Sequence, residues 1–181
     1  MAFIPMVDLD SLTPEQQEAH DRQLASHGGR ITNMKAALLA HVPTFDMYMA
    51  WYDLRKLLIP VIGERAFALF CYSISDANDC LICSVFFRRI LIDSGENPDD
   101  PQTTDDENLL MEFGRAISKN PHDIPEEIYA RIEERYSEVE RVQLVAFAAQ
   151  MVAANVFNTV SRLPLDEVLY EYRKPEPAPA S

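Results

Sequence analysis

Cys80 and Cys83, in the stretch "SISDANDCLICSVFFRRIL" of residues 73–91, are the residues best suited by type and spacing to chemistry. Thiols three positions apart on a helix lie on one face. One thiolate can attack an oxidant or a disulfide while its neighbour closes an intramolecular disulfide. Two other uses of the pair stay open. A structural zinc needs about four ligands, but there is no second CxxC, and His20, His27, His41 and His122 are scattered, so Cys71 and a distant histidine would have to converge. The pair also fits two small buried hydrophobes, the use expected of Cys71 in its apolar surroundings.

The run "DAND" reads as the end of one helix, with Asp79 placed to cap the next, "CLICSVFFRRILIDSG". Both cysteines then fall in a first turn, beside N–H groups without intrahelical partners. The helix dipole favours a thiolate there, and Arg88 and Arg89 add positive potential, whereas Asp76 and Asp79 oppose a second negative charge. The two aspartates are also close enough in sequence to exchange protons with Cys80, with capping as the competing use. Arg88 and Arg89 suit either an anionic substrate group or an ion pair in solvent or between subunits.

The elements that carry this pair read as all-α: glycine is scarce at five residues, and apolar residues recur every three or four. A first helix starts at Thr13–Pro14 and ends at Gly28–Gly29. A second, "RITNMKAALLAHV", stops before Pro43, and a third, "TFDMYMAWYDLRKLLI", is broken by Pro60. "VIGERAFALFCYSIS" is apolar nearly all round and therefore buried on several sides. After the cysteine helix, closed by Gly95, an acidic loop leads to a helix opened by Thr104 or Asp105. A short helix, "EEIYARIEERY", follows, then a long one over about 137–162 and a last short one from "LPLDEVLYEYR". Tyr48, Trp51 and Tyr52 fit the core or a subunit contact, and His41 a helix end. Residues 1–172 form one helical domain, and 173–181 a disordered proline-rich tail.

Sixteen basic against twenty-nine acidic residues, a net charge of −13, make nucleic acid and anionic membranes poor partners. Residues 142–160 are apolar enough to suggest a membrane span, but Gln143, Gln150, Asn155 and Asn158 interrupt them, as in a helix buried in protein. "MAFIPMVDLD" lacks the pattern of a secretory leader, and three cysteines are too few for a disulfide scaffold. The expected setting is the cytoplasm.

With these residues in view, "SDANDCLIC" before an apolar helix resembles the motif of the alkyl hydroperoxidase D (AhpD) and carboxymuconolactone decarboxylase family, with Ser75 and Asn78 in its serine and asparagine places. "VERVQLVAFAAQMVAANVFNTVSRLPLDE" is similar to its C-terminal helix, and "GRITNMKAALLAHVPTF" to a lead-in helix of its peroxidase-related members. The resemblance implies an AhpD-like, all-α, oligomeric fold (trimer, hexamer or related ring), with long apolar helices packing between subunits. It also implies peroxide reduction by Cys80 and Cys83, with Cys83 attacking and Cys80 resolving, and re-reduction by a dithiol such as lipoamide; separately, no cofactor or metal is expected. The family's relay histidine and glutamate fall on Phe87 and Ala68, with Glu64 one turn before the latter. Loss of such a general base typically costs about 10²–10⁴ in rate.

The leading expectation is therefore a CxxC thiol oxidoreductase that takes electrons from a dithiol and passes them to a hydroperoxide. The alternative is an oligomeric binding or redox-sensing protein without turnover. Decarboxylation of a lactone acid ranks third, because the matching histidine is missing.

Overall fold

The computed structural model describes residues 1–26 and 30–174, and the regular structure over these is all helical. The first four helices are α1 (Pro14–Ala25), α2 (Asn33–Leu38), α3 (Val42–Trp51) and α4 (Leu54–Ile62). They are followed by α5 (Glu64–Ala77), α6 (Leu81–Asp93), α7 (Asp105–Lys119), α8 (Glu126–Arg135), α9 (Glu138–Ser161) and a 3-10 helix, Glu167–Tyr172. The expected Gly28–Gly29 terminator and most of the proline-rich tail lie outside the described residues.

Helix starts follow side-chain chemistry closely. Thr13, Thr104 and Ser137 each accept from the backbone N–H three residues on, while Gln16, Glu107 and Glu140 reach back to the cap's own N–H. Each reciprocal pair satisfies two orphan donors.

The prolines act differently from expectation. Pro43 stands inside the first turn of α3 rather than behind the end of α2, because a residue without an N–H costs nothing where helical N–H groups have no partner. Pro60 lies within α4 and does not end it. That helix stops at Gly63, whose φ of 83° is readily reached only without a Cβ. The break expected at Pro60 falls earlier, between Trp51 and Leu54.

α5 is the central element, with every residue from 66 to 75 buried. It packs on α7 and α6 most extensively, and also on α4 and α9, which accounts for a sequence apolar on nearly all sides. The approach of α7 depends on Gly114: a Cβ there would stand 2.7 Å from Ser73 Oγ and 2.9 Å from Ile74 Cγ1 of α5. Gly114→Ala should therefore destabilise the protein by about 1–3 kcal/mol despite the better helix propensity of alanine. Chemical denaturation would show it as a lower midpoint, and an unchanged midpoint would mean that the two helices separate freely.

α9 is long and apolar enough to cross a bilayer, yet Gln150, Asn155 and Asn158 are buried on the side that meets the other helices. Its opposite side exposes Val142, Val145, Val156 and Val160.

Candidate active site

The loop between α5 and α6 sets the position of Cys80. Asp79 adopts the left-handed conformation, φ 52°. The Cys80 N–H donates to Ser75 O and the Asp79 N–H to Asp76 O, both at 3.1 Å. These two bonds form a Schellman closure with an aspartate where glycine is commonest. Asp79 therefore ends α5 rather than capping α6. Cys80 is itself the N-cap residue of α6, with no side-chain cap bond, and Cys83 follows one turn in.

Both thiols are buried, Cys80 at 1% and Cys83 at 8% exposure. The Cys83 thiol donates to the Cys80 sulfur, the largest influence holding Cys80 at about 7; N–H groups of Ile82 and Cys83 and the Thr159 hydroxyl help against the cost of burial. Cys83 moves the opposite way, well above an ordinary thiol, because its proton is committed to Cys80 and because it is buried. The two thiols are thus pushed apart at a helix N-terminus, Cys80 toward ionisation and Cys83 away from it. Cys71, fully buried and pushed up by burial, stays protonated.

Side chains far away in sequence complete the surroundings. Asn158 Nδ2 donates to Cys83 Sγ at 3.2 Å. One turn earlier on α9, Asn155 Oδ1 accepts from Ser75 Oγ at 3.4 Å. The Tyr52 hydroxyl lies beside Gln150 and within electrostatic reach of Cys83, and burial holds it protonated. It also points at Met34 Sδ, 3.8 Å away. Gln150 is fully buried and neither of its amide atoms closes a well-formed hydrogen bond. The sequence signal for these residues was the polar interruption of an otherwise apolar helix, which by itself argues only against lipid.

Other candidates are placed elsewhere. Phe87 and Ala68 are packed into the main core. Glu64 begins α5, exposed and 3.3 Å from Arg55. Fourteen residues at about 1.5 Å each put it some 20 Å from the end of α5 that leads into Cys80, so it does not stand in for a missing base. Asp76 pairs with Lys174 at 2.6 Å. Arg88 is buried and bound to Asp99, Tyr72 and the Tyr172 carbonyl, an intramolecular clamp rather than a substrate or intersubunit group. Arg89 pairs with Asp93 at 3.2 Å, and His41 meets Thr44 at the start of α3. Among the described residues no group of three or more His, Cys, Asp or Glu is arranged to hold a metal.

Iodoacetamide labelling of Cys80 should rise with a midpoint near pH 7, the value set by its surroundings, while Cys71 and Cys83 stay unlabelled over that range. A midpoint at the ordinary thiol value of about 8.5 would contradict that lowering.

No family model and no curated protein matches the chain. Solved structures do. The apo crystal structure of the debrominase Bmp8 superposes with a TM-score of 0.76 at 15% identity, over 93% of this chain and 95% of that one. An alkylhydroperoxidase AhpD core, an uncharacterized peroxidase-related protein from Ralstonia eutropha JMP134, gives 0.73 at 17% identity, over 97% and 98%. A peroxidase-related protein from Silicibacter sp. TM1040 gives 0.70 at 13% identity, over 94% of each chain. The chain has the AhpD-like fold. At such identities the likeness is one of fold alone.

Proposed function

We propose that the protein is a dithiol oxidoreductase that reduces hydroperoxides, with Cys80 as nucleophile and Cys83 as resolving thiol. The observation that carries this reading is the placement of the two buried thiols at the start of α6, Cys80 at its N-cap and Cys83 one turn in under the Asn158 amide, an arrangement that lowers Cys80 and raises Cys83. It gives Cys80 a nucleophile near neutrality and keeps Cys83 protonated until needed. The order is the reverse of the one implied by the family resemblance.

In the first step the Cys80 thiolate attacks the terminal peroxide oxygen and the O–O bond breaks. The alkoxide leaves and takes a proton from water, and Cys80 becomes a sulfenic acid. Cys83 then loses its proton and attacks the Cys80 sulfur; the S–O bond breaks, hydroxide leaves as water, and the disulfide closes. An external dithiol restores both thiols by exchange. Phe87 and Ala68 supply no acid or base, so turnover is expected about 10²–10⁴ below that of a site with a working relay.

The closing partner is a small, uncharged oxidant: both sulfurs are buried, and a net charge of −13 disfavours anions. A cytoplasmic setting suits a site that must be kept reduced. The exposed valines of α9 suit packing against a second copy of the chain, which a measurement of mass in solution would test.

The test is mass-spectrometric trapping of Cys71, Cys80 and Cys83 before and after one equivalent of an organic hydroperoxide. Joint loss of the Cys80 and Cys83 thiols within seconds, with Cys71 intact, supports the reading. Loss no faster than a free thiol gives favours the second one, a redox sensor or binding protein, which the apolar Phe87 and Ala68 suggest. A brominated phenol is a second oxidant worth offering because one structural neighbour is a debrominase. Here the dithiol would be oxidised to the disulfide while C–Br becomes C–H and bromide is released.

A further inference from the structure

The last turn of α9 brings an uncharged donor to the buried pair. Asn158 gives its amide N–H to Cys83 at 3.2 Å. That turn is held firmly. Arg162 takes the left-handed conformation, φ 53°, with its N–H on Thr159 O at 3.2 Å, and the Leu163 N–H reaches Asn158 O at 3.4 Å. It is a second Schellman closure, so α5 and α9 end in the same device. The Ser75–Asn155 bond ties α9 to α5 one turn earlier.

The Asn158 amide presents its Nδ2 to Cys83 Sγ at 3.2 Å, so the sulfur is the acceptor. Asn158 is 3% exposed and its Oδ1 has no partner, so the amide is committed to the sulfur alone.

We propose that Asn158 is the residue that activates Cys83 for disulfide closure. The assignment rests on the dithiol reading and goes beyond it by giving the second chemical step its own donor. Once Cys80 has been converted to an adduct, Cys83 must ionise in a buried place without its former acceptor. The Asn158 N–H then becomes a charge-assisted bond to the new thiolate. Being uncharged, the amide helps this step without competing for the Cys80 charge.

Methyl methanethiosulfonate, small and neutral, separates the steps without any peroxide. The Cys80 thiolate attacks its sulfenyl sulfur, releasing methanesulfinate and leaving a methyl disulfide on Cys80. Cys83 then loses a proton to water and attacks the Cys80 sulfur, methanethiolate leaves and is protonated, and the internal disulfide forms. Quenched samples distinguish adduct from disulfide by mass. Asn158→Leu should slow closure about tenfold, so that adduct accumulates, with the first step little changed.

Should Asn158→Leu disturb folding, Asn158→Asp keeps the shape and replaces the donor by a carboxylate, and closure should slow further. Wild-type closure rates in folded Asn158 variants overturn the assignment and leave the dithiol reading intact. A wild-type protein that stops at the adduct overturns both.

Discussion

Cys80→Ser is expected to abolish hydroperoxide consumption, and Cys83→Ser to permit one stoichiometric oxidation that stops at a sulfenic acid. The asymmetry follows from where the proton lies. Cys80 is the sulfur held at about 7, so it alone offers a nucleophile at neutral pH; a serine hydroxyl has no comparable anion. Cys83, protonated and pushed well up, is needed only to remove the oxygen from Cys80. Replacement by alanine also removes the leading donor to Cys80, so the labelling midpoint of Cys83→Ala should move above 7. Peroxide consumed by the pre-reduced variants freed of added thiol, with dimedone trapping of the sulfenic acid, reads both effects, and turnover is measured separately with dithiothreitol present. Dimedone adducts on Cys83 in Cys80→Ser, with none on Cys80 in Cys83→Ser, would restore the order implied by the family resemblance. Full turnover in both variants would leave the pair without a catalytic role.

Local chemistry was legible in the sequence, and tertiary partnership was not. Thr13 and Thr104 announce their helices because a cap is a matter of residues three apart. The burial of α5 on all sides follows from its apolar periodicity. Pro60 misleads because a proline late in a helix removes one bond where few remain to lose, and a glycine three residues on provides the true stop. Asp79 misleads because aspartate suits two local jobs, capping a helix or turning left-handed after one. Which one wins depended on the preceding helix. The cysteines declare themselves by spacing, but Asn158 and Tyr52 reach them from 75 residues later and 31 residues earlier, and no local pattern marks that. Glu64 shows the converse: one turn from the position wanted, it stands in solvent beside Arg55.

Asp99→Ala is expected to destabilise the fold by about 3 kcal/mol, and by more than Arg88→Met, although Asp99 is the more exposed partner. The Arg88 side chain is 6% exposed and that of Asp99 49%. Two guanidinium nitrogens meet the carboxylate at 2.5 and 2.9 Å, and a third donates to the Tyr172 carbonyl at 3.0 Å. Removing the acid strands a cation that can neither deprotonate nor reach water, a change that typically costs about 3–5 kcal/mol when a buried pair is broken. The lower end applies because water reaches Asp99. Removing the arginine lets Asp99 rehydrate and gives up the tether to Tyr172, about 1–2 kcal/mol. Urea unfolding of the two variants and of the pair together measures this order. Arg88 holds the Asp99 carboxyl below its ordinary value, so the stabilisation is complete above the unfolded value of about 3.9 and is lost as pH falls through the lower, folded one. The gap between wild type and Asp99→Ala should therefore close in acid. Since the hydrogen bond from Cys83 and burial lead at Cys80, its labelling midpoint should stay near 7 in Asp99→Ala; a shift there would mean that the clamp also positions the start of α6. Equal stabilities for Asp99→Ala and Arg88→Met would show that water reaches the guanidinium, and with it the interior between α6 and the 3-10 helix.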